Sequence, residues 1–307
     1  MKSPTLPARA YSPRYWPTWL AMGLLWCLAR LPFPLATRVG LGLGRLLYPL
    51  IRERRKIVLR NLELCFPELD RKRREQLAKR NFAYTGKAFA EIAHAWWGNH
   101  DKLAGRCEVR GIEHLREAQA QGHGVILLSA HFTCLEIVAP LASAVAPCYV
   151  IYRPQRNPVI EYCMRSARDR NTLGAIPRND VRAILKALRK GHSVWYAADQ
   201  DMGRRRSVFA PFFGIETATV NALTRLVKIS KAPVVPVFFH GKPDHSGYVA
   251  EFFPILREIP GPDEVSDAAV VNRAIEEAVR RHPEQYFWVH RRFKTRPDPD
   301  EPSPYRD

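Results

Sequence analysis

Between Gly124 and Glu136 the chain reads GVILLSAHFTCLE, an apolar run of strand length that stops at His131. A carboxylate, Glu136, follows five residues later, where a helical apolar periodicity begins. In one continuous helix, five steps of about 100° would set His131 and Glu136 roughly 140° apart around the axis, out of easy reach. A strand, a turn carrying His131 and a helix opening near Glu136 brings the two side chains together. The carboxylate would then fix the imidazole tautomer and leave the other ring nitrogen as a base. Buried histidines are also commonly hydrogen-bonded to a glutamate for structural reasons alone. The choice between these readings depends on the rest of the chain.

The 307 residues suffice for one large domain, or one domain with an appended segment. Forty-eight Lys and Arg against thirty Asp and Glu give a formal charge of +18. Such a surplus points to a polyanionic partner, either nucleic acid or an anionic, phosphorylated membrane surface. Six dispersed cysteines include no C-x-x-C, so neither a zinc site nor a disulfide framework is indicated.

Residues 15–35 read YWPTWLAMGLLWCLARLPFPL. The uncharged stretch before Arg30 is about fifteen residues, short of the ~20 that a spanning helix needs, although Arg30 could snorkel. Tyr15, Trp16 and Trp19 form an aromatic belt at one end. Residues 1–37 are therefore expected to attach the chain to a membrane, as a marginal span or a helix lying in the interface. Residues 38–100 follow as a basic helical collar. Arg45, Arg52, Arg54, Arg55, Lys56, Arg60 and Arg71 to Arg74 alternate there with apolar positions, as in helices with one cationic face. Pro67 interrupts the collar, and Asp70 is placed to cap a helix running to about Trp97.

Residues 101–293 read as an α/β domain, and residues 294–307 as a flexible, Pro-rich tail. Strands are expected at about 109, 124–129, 148–152, 173–176, 193–198, 234–240 and 248–253. The helices between them include 132–144, 158–170, one capped by Asp180, 217–230 and 263–281. Apolar strands alternating with amphipathic helices predict a mixed, largely parallel sheet flanked by helices. Sites in such sheets gather at the carboxyl ends of strands. Three of these ends carry polar groups: His131, Arg153 and Asp199.

There is no G-x-S-x-G elbow and no Walker-type loop. Gly40-Leu-Gly42-Leu-Gly44 lacks the preceding strand of a dinucleotide site, and Cys134 sits in an apolar stretch that suits packing better than nucleophilic attack. What remains is a histidine base with a carboxylate and no protein nucleophile. That arrangement suits deprotonation of a substrate hydroxyl, which attacks an activated acyl group directly.

His131-x4-Glu136 resembles the H-x4-D/E motif of the lysophospholipid acyltransferase superfamily. Further stretches resemble the late acyltransferases of lipid A biosynthesis, lauroyl-type members most of all. They include Arg14-Tyr-Trp16, Arg60-Asn-Leu-Glu-Leu-Cys-Phe-Pro-Glu68, Tyr152-Arg-Pro154, Lys186-Ala-Leu-Arg-Lys-Gly191, Val194-Trp-Tyr-Ala197 and Trp288-Val-His-Arg-Arg-Phe-Lys-Thr-Arg-Pro297. Asp199-Gln200-Asp201 departs from the Asp-His-Asp expected there.

The resemblance implies transfer of a fatty acyl chain from an acyl carrier protein thioester to a hydroxyl of an anionic, Kdo-bearing lipid A precursor. It implies no cofactor, no metal and no nucleic acid, and a catalytic domain on the cytoplasmic side of a bacterial inner membrane. His131 would take the hydroxyl proton and Glu136 would orient the imidazole. Arg153 is a candidate oxyanion donor, or an ion-pair partner of Asp199. Asp199 and Asp201 would position Arg153 or a loop, or cap a turn. Arg204, Arg205 and Arg206 would meet acceptor phosphates, sugar carboxylates or the acidic carrier, or form a solvated loop. A glycerophospholipid acyltransferase using the same dyad is the alternative.

Overall fold

The computed structural model describes residues 4–99 and 101–305. The N-terminal third is helical: α1 (Trp16–Leu28), α2 (Phe33–Leu50), α3 (Arg52–Cys65), α4 (Arg71–Trp97) and the one-turn α5 (Asp101–Ala104). Then come β1 (Cys107–Arg110), α6 (Ile112–Gln119), β2 (Ile126–Ser129), α7 (Leu135–Ala142), β3 (Cys148–Tyr152), α8 (Pro158–Asn171), β4 (Gly174–Pro177), α9 (Val181–Arg189) and β5 (Ser193–Ala197). The chain closes with β6 (Ser207–Phe212), β7 (Ile215–Val220), α10 (Ala222–Ser230), β8 (Val234–Gly241), β9 (Tyr248–Phe252) and α11 (Glu264–Arg281).

Seven strands form one sheet in the order β1-β9-β8-β2-β5-β3-β4, parallel throughout except for the β8–β9 pair. The fold is therefore mixed α/β with a mostly parallel sheet flanked by helices. Every residue of β2 is buried, as its unbroken apolar run requires. Local chemistry sets the helix starts. The carboxylates of Asp70, Asp180 and Asp263 accept the backbone N–H groups of Arg73, Ala183 and Ser266, satisfying donors that the first helical turn leaves free.

Two elements differ from the sequence reading. The helix expected over 217–230 begins only at Ala222, because residues 215–220 form the second strand of a β6–β7 hairpin. Its alternating Ile215-Glu-Thr-Ala-Thr-Val220 suits a pleated strand, and Phe213 and Gly214 turn the chain with φ of 52° and 73°. The helix expected over 132–144 spans only Leu135–Ala142, since the residues after His131 are spent on the turn.

α4 is the post around which the helical collar packs. Gly40 and Gly44 of α2 lie against it so closely that a Cβ on Gly44 would stand 2.1 Å from the Phe82 carbonyl oxygen. Gly86 of α4 is equally closed, at 2.3 Å from the Gly40 carbonyl. Where α4 meets the sheet, Lys87 and Glu91 pair at 3.1 Å, both almost wholly buried, and the Tyr248 hydroxyl donates to Glu91 at 2.6 Å.

The outward face of α2 carries Leu35, Val39, Leu43, Leu46 and Leu50, all exposed. Exposed Trp16, Leu20 and Leu24 add to it from α1, none of whose residues is buried. At ~1.5 Å per residue α1 reaches about 20 Å, against a hydrocarbon core of about 30 Å. Among the described residues no helix is long and apolar enough to cross a membrane.

Candidate active site

β2 and β5 are parallel neighbours whose last residues, Ser129 and Ala197, stand opposite one another. Two residues further, His131 and Asp199 leave the same edge of the sheet side by side. The Asp199 carboxylate accepts both the His131 backbone N–H (2.9 Å) and Nδ1–H of the imidazole (2.6 Å). Asp199 is only 3% exposed. Burial pushes its pKa up, but the His131 charge, the two hydrogen bonds from His131 and one from the Tyr286 hydroxyl outweigh this and hold it at about 2. With Nδ1 committed as donor, Nε2 is the ring nitrogen left with a free lone pair. The His131 side chain is 27% exposed, so that nitrogen can be reached from outside.

Glu136 is not the partner of Nδ1. It lies in the first turn of α7, accepting from the Arg168 guanidinium of α8 and from Trp96 Nε1 of α4 at 3.1 Å. Burial opposes its charge, and Arg168, Trp96 and the nearby His131 together draw its pKa below the usual carboxylate value. The imidazole and this carboxylate thus interact through space. Arg170 adds a hydrogen bond to the Trp96 carbonyl, tying α8 to α4 beneath the pair.

A buried apolar cavity of about 60 Å³ opens beside Glu136 and Arg168. It runs between α7 and the sheet, past Leu135, Ala139, Ala142 and Ser143 on one side and Val150 and Trp195 on the other. On the far side of His131, the wall is built from a segment distant in sequence. The Asn61 amide of α3 donates to the carbonyls of Trp288 (2.7 Å) and His290 (2.9 Å), and the Phe287 N–H donates to the His131 carbonyl (2.9 Å).

Of the remaining candidates, Arg153 is exposed beyond β3, separated from β2 by β5, and makes no ion pair with Asp199, whose carboxylate is taken by His131. Asp201 does not reach His131. It is a clasp, accepting from the backbone N–H (2.9 Å) and hydroxyl (2.9 Å) of Thr295 and from the Gly203 N–H (2.8 Å). Arg204 donates to the carbonyls of Arg296 and Pro297, so the segment expected as a loose tail is fastened at several points. Arg205 and Arg206 are exposed. Cys134 is buried with its thiol on the Phe239 carbonyl, and burial pushes its pKa up, the reverse of what a nucleophile needs.

Trp96, Arg168, Tyr286 and Asn61 were missed by the motif, since each comes from an element that only the tertiary fold brings in. Of these, Asn61 lies within the stretch Arg60–Glu68 that carries the family resemblance, though that resemblance gave the residue no role.

Residues 7–295 match the family model described as bacterial lipid A biosynthesis acyltransferase. The chain is 41% identical to the lipid A biosynthesis lauroyltransferase of Escherichia coli K12 over 93% of its own length and 94% of the relative's. It is 39% identical to that organism's lipid A biosynthesis palmitoleoyltransferase over 93% of each chain, and 34% identical to a lipid A biosynthesis acyltransferase of Haemophilus influenzae over 99% and 98%. These matches run over nearly the whole length: the chain belongs to the bacterial lipid A biosynthesis acyltransferase family.

Proposed function

We propose that this enzyme moves a fatty acyl chain from an acyl carrier protein thioester to a hydroxyl of an anionic, Kdo-bearing lipid A precursor, at the cytoplasmic face of a bacterial inner membrane. The observation that carries the reading is the His131–Asp199 pair, which leaves Nε2 as a base just beyond the end of β2, with an apolar cavity opening at Glu136, five residues further along the chain. In the proposed step Nε2 takes the acceptor hydroxyl proton as the oxygen attacks the thioester carbonyl. Asp199, not Glu136, holds the tautomer and balances the imidazolium at short range. Collapse of the tetrahedral intermediate breaks the carbon–sulfur bond, and the imidazolium returns its proton to the departing thiolate. The products are an ester and the free carrier thiol, with no acyl-enzyme.

Glu136 keeps Arg168 at the cavity mouth, where a guanidinium can face the developing oxyanion. The acyl chain enters the cavity between α7 and the sheet. The small side chains of Ala139, Ala142 and Ser143 suit a linear chain, and α7, interrupted by Pro140, is the element that must shift to admit its length. The apolar faces of α1 and α2 lie in the bilayer interface rather than across it.

Purified enzyme supplied with a lauroyl carrier-protein thioester and the Kdo-bearing acceptor is expected to form the ester, and His131→Ala to lose roughly 10²–10⁴-fold in kcat. Transfer to lysophosphatidic acid and not to the glycolipid would replace this reading with the glycerophospholipid one.

A further inference from the structure

A groove of about 660 Å³ opens beside α3, with His131 not among its lining residues. Arg55, Lys56 and Arg60 reach it from α3, Arg71 and Arg74 from the start of α4, and Arg291 from the C-terminal segment. Six cations drawn from three separate stretches face only three carboxylates there, Glu53, Glu63 and Glu75. Two of the six are paired with these carboxylates, Arg291 with Glu53 (3.3 Å) and Arg60 with Glu63 (2.6 Å), while Glu75 pairs with Lys79 (3.3 Å), so the lining keeps a surplus of positive charge. Tyr48 and Tyr305 line the floor.

The position of the groove narrows the choice of ligand. Tyr48 belongs to α2, and the groove opens at the α2–α3 corner, where the exposed apolar stripe of α2 ends in Leu50 and Ile51. A protein resting that stripe in a bilayer interface brings the groove to headgroup depth. Arginines drawn from three elements around one groove can present their guanidinium forks to the oxygens of a phosphate. We propose that the groove is a binding site for the phosphate of a membrane lipid headgroup, separate from the catalytic pocket. The placement rests on the interfacial reading of α1 and α2, and the experiment below tests that reading on its own.

Full-length protein is sedimented with phosphatidylcholine vesicles and with the same vesicles carrying a minor fraction of phosphatidic acid. Binding to the first reports the apolar stripe, and the gain on adding phosphatidic acid reports the groove. Arg71→Ala/Arg74→Ala is expected to keep the first and lose roughly 25-fold in affinity for the second, about fivefold per cation. Arg189→Ala/Lys190→Ala, the same change of charge at the exposed end of α9, should retain most of the gain. Circular dichroism confirms that both variants are folded. Equal losses from the two pairs would mean a diffuse surface field and overturn the site. Failure of the wild type to bind either vesicle would sink the interfacial reading along with it. Inorganic phosphate binding to the wild type, with no gain on phosphatidic acid, would assign the groove to a soluble phosphate and remove the lipid. Unchanged vesicle binding with a raised KM for the carrier-protein thioester would make the groove a carrier dock, again overturning the proposal.

Discussion

Asp199 reaches His131 because two parallel strands end level with one another, so residues equally far beyond their ends emerge as neighbours. Replacing Asp199 by Asn keeps the shape but removes the acceptor that holds Nδ1–H. The expected result is a fall in kcat of roughly 10²–10⁴-fold with little change in KM. If Asp199→Asn were fully active while Glu136→Gln was not, Glu136 would be the orienting group after all. His131 and Glu136 were visible in sequence because a motif of fixed spacing marks them. The partner of His131 was not, because strand register across 68 residues leaves no local pattern, and Asp199 stood out as a polar strand end with Arg153, not His131, as its expected partner. His290 supplies a second test at this scale. Its Nε2 accepts the Asp201 backbone N–H at 3.2 Å, and burial draws its pKa from 6.5 down to about 4. The unfolded chain therefore binds this proton first. The stability His290 contributes is complete above pH 6.5 and lost as pH falls toward 4. Denaturant midpoints measured across that window should decline in the wild type and stay flatter in His290→Gln.

α2 and α4 make the sharpest case among the elements. Gly40 and Gly44, four residues apart, share one helical face and let the α4 backbone approach, whereas Gly42 points to open space. Gly44→Ala is expected to destabilise the fold by about 1–3 kcal/mol through overpacking, and Gly42→Ala to be neutral or stabilising by up to about 1 kcal/mol. Thermal melts of the two variants, side by side, check this. In sequence the three glycines could be dismissed as a dinucleotide loop, but their packing role needed the identity of the facing helix. The β6–β7 hairpin was hidden for a related reason. Residues 215–230 are apolar enough for a helix, and the left-handed Phe213-Gly214 turn carries only one glycine to announce it. Most other elements were legible, since capping aspartates and apolar runs are local signals.

Across the whole molecule, the candidate pocket around His131 is walled by segments far apart in the sequence. Asn61 holds the carbonyls of Trp288 and His290, the Tyr305 hydroxyl bonds Asn61 in turn, and Thr295 closes on Asp201. A chain stopped after Phe293 keeps Trp288 and His290 but loses Thr295. Buried Asp201 would then forfeit two hydrogen bonds, costing about 1–3 kcal/mol. The expected outcome is a folded protein, by circular dichroism, with a lowered melting temperature and markedly reduced acyl transfer. Wild-type activity in that truncation would show that the clasp is dispensable. Because Thr295 and Tyr305 complete the wall beside His131, that wall can form only after the chain has been synthesised well beyond α11, when the helices and sheet it closes on are already made.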